Sequence, residues 1–419
     1  MKDIKKKLYF FVRHYPTYDH FAPIIYLLSK NKYIDLNIVY LKVNYAYHLD
    51  KHHIYFEKIN NITIIDHTKV FKKKRFYLFL FIKFLKRVSS FLLTQIIIKL
   101  IFKIENVMEV ECEKEIVSIL KRKIINTKVS AVFDYAASER IKELKHLIYK
   151  SGGQCFNMPH SVWIWENKLR CLDQLSFNTS DSFSFGTFDK KDINIIENNK
   201  TKEILKELGV LGKNIKLFGS PRFANKWVMN KKNILSERKF ICKGNIKVLI
   251  LCPKIWDNIF WGEFIRSVNL FANQKSMSVV IQRHPNTSNL DNKLLFKDIM
   301  LRDNLQFASK KNSTSELIDW SSIVVNVNAS IFFEALIKRK IFINLNHLHT
   351  NQFFFDSKGA YYETKNRDDV VDFINNLVKK GNIIKYKQKN IDNLLFKTVY
   401  KKTSNPHEEV VNYLENFSL

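Results

Sequence analysis

The sequence predicts an α/β protein built from two doubly wound, Rossmann-like domains facing a cleft. Three observations lead there. Short apolar runs rich in β-branched and aromatic residues alternate with helix-length amphipathic stretches, the pattern of parallel sheets with helices on their faces. The rhythm breaks once, at the polar and aperiodic stretch 226–245 (KWVMNKKNILSERKFICKGN), and then restarts. The chain of 419 residues also exceeds the length that a single core serves efficiently.

In the first half the expected strands are LYFFV (8–12), LNIVYL (36–41), TIIDH (63–67), SAVFDY (130–135), QCFNM (154–158), SFSFG (182–186) and IKLFG (215–219). Helical patterns such as APIIYLLSK and ERIKELKHLIYK lie between them. After the polar stretch come IKVLIL (246–251), SVVIQR (278–283), LQFAS (305–309), SIVVNV (322–327) and KIFINL (340–345). WGEFIRSVNLFANQ and SIFFEALIKRK read as the helices between these strands, and HEEVVNYLENFSL reads as a tail helix. The expected division is a first domain at 1–235, a second at 236–385 and the tail at 386–419.

With 46% hydrophobic residues, 10 Gly and 7 Pro, the composition is that of a folded chain. The formal charge of +29, from 69 Lys+Arg against 40 Asp+Glu, points to a polyanionic partner. Enrichment in Lys, Asn, Ile and Phe, as an AT-rich genome produces, accounts for part of that excess. The cysteines Cys112, Cys155, Cys171, Cys242 and Cys252 are odd in number and form no CxxC pair, against a disulfide framework or a zinc site. A reducing, cytoplasmic compartment is therefore expected. The basic N-terminus runs through only five apolar residues before Arg13 and reads as a first strand, not a leader.

Between Lys69 and Ile104 lie ten basic residues and no acidic one. The longest uncharged run there, Val88 to Ile98, is eleven residues, whereas a membrane span needs roughly 20. Lys83, Lys86, Arg87, Ser90 and Thr94 fall on one side of a helix, with a break near residue 95. Two readings stand: an interfacial helix on the anionic inner face of the plasma membrane, or an amphipathic helix packed on its own domain.

In open α/β sheets ligands lie beyond the carboxyl ends of the strands, so the residues following each strand matter most. IKVLIL leads to Lys254. SVVIQ leads to Arg283-His284-Pro285, where a guanidinium fork and an imidazole can hold phosphate and the proline sets the turn. SIVVNV leads to Asn328-Ala329-Ser330, which opens a helix; Asn328 or Ser330 can cap it, and its free N–H groups can bind an oxyanion. Glu334, one turn later, can accept hydrogen bonds from a ribose diol. Taken together these loops favour a nucleotide site over surface turns.

The order QRHPN (282–286) followed by ELIDWSSIVVNVNASIFFEALIKRKIFINL (316–345) resembles the nucleotide-binding half of GT-B fold transferases of bacterial surface polymers. Similar patterns occur in CDP-glycerol glycerophosphotransferases and in capsule Kdo and sialic-acid transferases that use CMP-activated donors. The resemblance implies donor-phosphate roles for Arg283, His284 and Ser330. It departs from those groups at 328–330, where a Ser-Ser or Ser-Thr pair is usual, and at Arg339-Lys340, where Gly-Lys-Pro is usual. FNMPHSVWIWEN (156–167) resembles the His-Gly strand end of their acceptor half. FGSPRF (218–223) looks like the element closing their first domain, which brings Arg222 toward donor phosphate or an anionic acceptor.

These features imply a glycosyltransferase moving a sugar or polyol phosphate from a nucleotide-activated donor to a glycan or lipid-linked acceptor. No DxD triplet is present, and neither a metal nor a cofactor is expected. The base would come from the first domain: His160 first, then Asp19 or His20, then Asp134 or Glu139. A nucleotide-sugar 2-epimerase of the same architecture is the alternative. It needs two or more acidic residues for proton transfer, and the strand-end loops read as basic and imidazole-rich, which ranks it second. An RNA-binding protein, argued from charge alone, ranks third because no RNA module is recognisable and the basic run is interleaved with long aliphatics.

Overall fold

The computed structural model describes residues 6–41, 50–66, 95–124, 127–134, 139–159, 161–164, 191–234, 245–253, 259–284, 296–299, 302–309, 312–327, 329–349, 352–380 and 386–417. Two compact units emerge. The first comprises Met1–Ser161, Phe183–Ala224 and Asn405–Leu419, and the second Val162–Ser182 and Asn225–Ser404.

The first unit holds a sheet whose strands are β1 (Lys6–Val12), β2 (Ile34–Tyr40), β3 (Ile62–Ile65), β4 (Val129–Asp134), β5 (Cys155–Met158), β6 (Ile193–Ile196) and β7 (Ile215–Leu217). Their order is β3-β2-β1-β4-β5-β6-β7, and every pairing is parallel. Its helices are α1 (Tyr15–Leu28), α2 (Lys51–Phe56), α3 (Gln95–Ile124), α4 (Glu139–Lys150) and α5 (Asn199–Glu207). One face of β1 presents Tyr9 and Phe11 to a core shared with Leu120, Leu144 and Ile148 of α3 and α4. The alternate residue Phe10 meets Phe21 of α1 on the other face, with ring centroids 5.6 Å apart. A strand buried on both faces must be apolar throughout, which explains the unbroken run LYFFV. Each such ring contributes about 1.5–3 kcal/mol by leaving water.

The second unit repeats the arrangement. Its strands β8 (Ile246–Leu251), β9 (Met277–Gln282), β10 (Leu305–Phe307), β11 (Ile323–Asn326), β12 (Ile341–Asn344) and β13 (Tyr362–Glu363) lie in the order β10-β9-β8-β11-β12-β13, again all parallel. The helices in chain order are α6 (Asn225–Ile234), α7 (Trp261–Ala272), α8 (Thr314–Trp320), α9 (Phe332–Ile337), α10 (Arg367–Lys380) and α11 (Gln388–Thr398). Phe264, Val268 and Phe271 of α7 and Val370, Phe373 and Leu377 of α10 join the core on one face of the sheet. Phe332 of α9 stacks on Phe342 of β12 at 5.2 Å on the other.

The chain returns to the first unit in α12 (Pro406–Phe417). Phe156 of β5 takes Phe417 and Tyr413 edge-on, and Asn31 Nδ2 donates to Glu415 Oε1 at 2.8 Å.

Two expectations change. The stretch 226–245 was expected to link the domains, yet its first part is helix α6. A buried lysine, Lys231, 3.9 Å from Glu334, sits where periodicity would call for an apolar residue, and this disguised the helix. The four-residue β6 and two-residue β13 were not anticipated, being too short to show alternation. The expected strand at 182–186 and the amphipathic stretch over 69–94 lie outside the described residues. Among the described residues no helix is long and apolar enough to cross a membrane.

Candidate functional site

Both sheets reverse direction of winding in the middle, between β1 and β4 in the first unit and between β8 and β11 in the second. Such a switch point leaves a crevice beyond the carboxyl ends of the two central strands, because the connections on either side run to opposite faces.

In the first unit the register aligns Phe10 with Val132, so Val12 and Asp134 end neighbouring strands. The chain turns from β1 straight into α1. His14 caps this helix by accepting from the Thr17 N–H at 3.3 Å, and Pro16 sits in the first turn, where its missing donor costs nothing. Thr17 Oγ1 then donates to Asp134 Oδ2 at 2.6 Å, closing the crevice across β1 and β4. Thr17 and His20 are three residues apart in α1 and are neighbours on one helical face, so His20 continues the line that Thr17 begins.

Behind that line lies a chain of buried charged groups. Arg222, in the single turn Pro221–Phe223, brings Nε to 2.6 Å from Asp19 Oδ2 and Nη1 to 3.5 Å from His20 Nε2. Gly219 makes the approach possible with a φ of 105°, a left-handed conformation open to a residue without Cβ. Asp19 Oδ1 lies 3.6 Å from His52 Nε2, and His52 Nδ1 lies 3.0 Å from Asp50, which also caps α2. Burial pushes the Tyr18 phenol well above the usual tyrosine range, and the carboxylates of Asp50 and Glu57 add to it. Asp66, just past β3, is buried on the same sheet edge.

Four aspartates, Asp19, Asp50, Asp66 and Asp134, therefore gather at the carboxyl end of the first sheet. This corrects the expectation that the strand ends are basic and imidazole-rich. Asp19 is in the second turn of α1 and Asp50 precedes α2, so neither directly follows a strand in sequence. Only the winding of the helices back over the sheet edge brings them there.

In the second unit, Arg283 and His284 follow β9, and Ala329 and Ser330 follow β11, with β8 between those strands. The Arg283 guanidinium lies over the Phe307 ring, 4.2 Å from its centroid, and remains exposed. An aromatic face holds a guanidinium plane in one orientation while leaving its edge N–H groups available to an anion. Burial pushes the Cys252 thiol far up, and the nearby Arg283 charge works against that shift. Asn326 and Asn344, paired in register at the ends of β11 and β12, complete a polar last row.

Two residues are placed differently from the sequence reading. Ser330 does not cap α9: that helix is entered through three-residue turns, Phe333 N–H donating to Ser330 O at 3.2 Å, and has no side-chain cap. Glu334 is buried and engaged within the unit. It accepts from Ser315 Oγ and from Lys338 Nζ at 2.9 Å, and faces Lys231. Burial works against the Lys338 charge, but Glu334 and Asp319 together raise its ammonium above the usual lysine range.

The structure thus unites Asp19, His20 and Arg222 in the first unit and sets Arg283, His284 and Ser330 along one edge of the second sheet. His160, Lys254 and Asn328 lie outside the described residues. Sequence reasoning missed His14, Thr17, Asp50 and His52. The segment DKHH (50–53) and the hydroxyl within RHYPTYDH were the available signals.

Two doubly wound units whose strands follow the same order, the first with one strand more at its end, define the GT-B class of fold. No family model and no curated protein matches the chain. Solved structures do. The UDP-GlcNAc 2-epimerase from Neisseria meningitidis, bound to UDP-GlcNAc, is 13% identical with a TM-score of 0.54, covering 98% of this chain and 100% of its own. The UDP-GlcNAc 2-epimerase from Methanocaldococcus jannaschii is 12% identical with a TM-score of 0.56, covering 98% and 99%. The Anabaena protein HepE, in complex with UDP-glucose, is 9% identical with a TM-score of 0.53, covering 98% and 99%. At these identities the likeness is one of fold along nearly the whole chain. The finer resemblance to CDP-glycerol and capsule transferases has no family match behind it.

Proposed function

We propose that the protein is a nucleotide-sugar 2-epimerase acting on a UDP-linked sugar, in preference to the glycosyltransferase reading. The observation that carries this is the buried Asp134 carboxyl, hydrogen-bonded by Thr17 at the β1/β4 switch point with His20 on the same helical face. Inversion at C2 requires a group to remove the C2 proton and a group to supply one, and carboxyl and imidazole are suited to both. The likeness to epimerases of the same fold and length supports the same reading.

In this reading Arg283 and His284 hold the diphosphate by charge-assisted hydrogen bonds, and Asp134 and His20 serve the proton transfers. Arg222, fixed by Asp19, holds the His20 ring from the side of Nε2. The chemistry is a proton transfer at carbon and needs neither a metal nor an acceptor glycan. The test is incubation of the purified protein with UDP-GlcNAc alone, in D2O, followed by NMR of the sugar. A C2 epimer or deuterium at C2 is expected. If neither forms and sugar is released only when an acceptor glycan is added, the protein is a transferase.

A further inference from the structure

The Thr17 hydroxyl has one proton and two partners. Oγ1 is 2.6 Å from Asp134 Oδ2 and 2.9 Å from His14 Nδ1, and the Thr17 N–H points at that same nitrogen from 3.3 Å. Asp134 is buried at the strand end, whereas His14 is half-buried at the mouth of α1. We propose that Thr17 is a proton relay joining the buried Asp134 carboxyl to the His14 imidazole, so that His14 exchanges with solvent the proton that Asp134 handles. The catalytic consequence rests on the epimerase reading; the relay itself does not.

Two hydrogen-bonded states satisfy this geometry. In the first, His14 Nδ1–H donates to Thr17 Oγ1, whose own proton goes to the ionised Asp134. In the second, Asp134 O–H donates to Oγ1, and the hydroxyl proton goes to His14 Nδ1, which also accepts from the Thr17 N–H. Passing from first to second breaks the Nδ1–H bond and the original Thr17 O–H bond. It forms a new O–H bond on Thr17 and one on Asp134. One proton moves from His14 to Asp134, and nothing is oxidised or reduced.

Opposing forces act on the two states. The positive end of the α1 dipole and the capping N–H both favour an unprotonated Nδ1, and so the second state. The attraction between a protonated ring and a buried carboxylate favours the first. A relay needs such a balance, since a group bound firmly in one state passes nothing on. Valine at position 17 keeps the β-branched shape and removes the hydroxyl; serine keeps the hydroxyl.

The experiment has two arms. In D2O with UDP-GlcNAc, T17V is expected to lower kcat by about 10- to 100-fold and to reduce the deuterium gained at C2 per epimerisation. T17S is expected to recover the deuterium gain. Wild-type deuterium gain in T17V overturns the relay, because loss of packing alone slows turnover without changing how often the proton is exchanged. The second arm needs no turnover: 15N-histidine labelling reads the His14 ring in wild type, T17V and D134N. The His14 Nδ1 signal is expected to shift in both variants, and an unshifted signal in D134N overturns the relay whatever the reaction. If the wild type leaves UDP-GlcNAc unchanged, the epimerase reading fails and the labelling arm still decides the relay.

Discussion

Arg222 and Asp19 form an ion pair at 2.6 Å within the first unit, and the same guanidinium reaches His20. The pair joins the second turn of α1 to the turn after β7, so one contact fixes both the helix and the imidazole. Removing Arg222 takes the ion pair at 2.6 Å from the buried Asp19 carboxylate. R222M is expected to cost about 3 kcal/mol of stability, the lower end for breaking a buried pair because the arginine keeps some exposure. Urea denaturation measures this. R222K restores charge without the planar fork and is expected to recover only part of it.

Arg283 on Phe307 makes a different prediction. Its guanidinium is exposed and lies over the Phe307 ring, so its loss is expected to weaken phosphate binding with little effect on the fold. R283A is expected to weaken UDP binding by about 10- to 100-fold, the worth of a charged hydrogen bond. Uridine binding, lacking phosphate, is expected to stay unchanged. Calorimetric titration of both ligands checks the contrast, and equal weakening of both would place Arg283 away from the diphosphate.

Glu334 was expected at a ribose and is found holding Lys338 and Lys231 inside the second unit. E334Q removes the carboxylate that faces both Lys231 and Lys338, Lys338 keeping Asp319 at 2.8 Å, and is expected to destabilise by about 3 kcal/mol. UDP affinity is expected to stay within about twofold, as for two sites without shared partners. Thermal unfolding and UDP titration of the same variant give both numbers. A stable E334Q protein with weakened UDP binding would restore the ribose role.

His347 links stability to pH. Burial, with the Arg367 charge, lowers its pKa below the usual histidine value, while Glu263 and Asp369 push the other way. Its Nδ1 is 2.6 Å from Thr364 Oγ1. As pH falls through about 6.5 the unfolded chain takes up a proton that the folded ring refuses, so stability falls from there down to the folded pKa. H347Q is expected to flatten that slope. Denaturation midpoints of both proteins between about pH 5 and 7 test this, and parallel slopes would remove His347 as the cause.

Most strands could be read from the sequence because a strand buried on both faces must be a compact apolar run, as LYFFV and IKVLIL are. Helix α6 could not, since Lys231 is buried for its partner Glu334, and that partner is on a helix 103 residues further along. The cation at the end of β9 was legible because Arg283 directly follows its strand. The acidic edge of the first sheet was not. Asp19 and Asp134 were already candidates for the base, but Asp50 and His52 come from the start of α2, and their sequence neighbours give no sign of a destination shared with Asp19.

By itself, then, the sequence determined the two α/β units, their parallel sheets and the anion-seeking residues placed directly after strands. These follow from local periodicity and from what an apolar run must do in water. Only the tertiary structure decided that Thr17 meets Asp134, that Arg222 meets Asp19 and His20, and that Glu334 faces Lys231. Each of those contacts joins segments far apart in the chain, and the order of strands across the sheet, which no local pattern encodes, sets which ones meet.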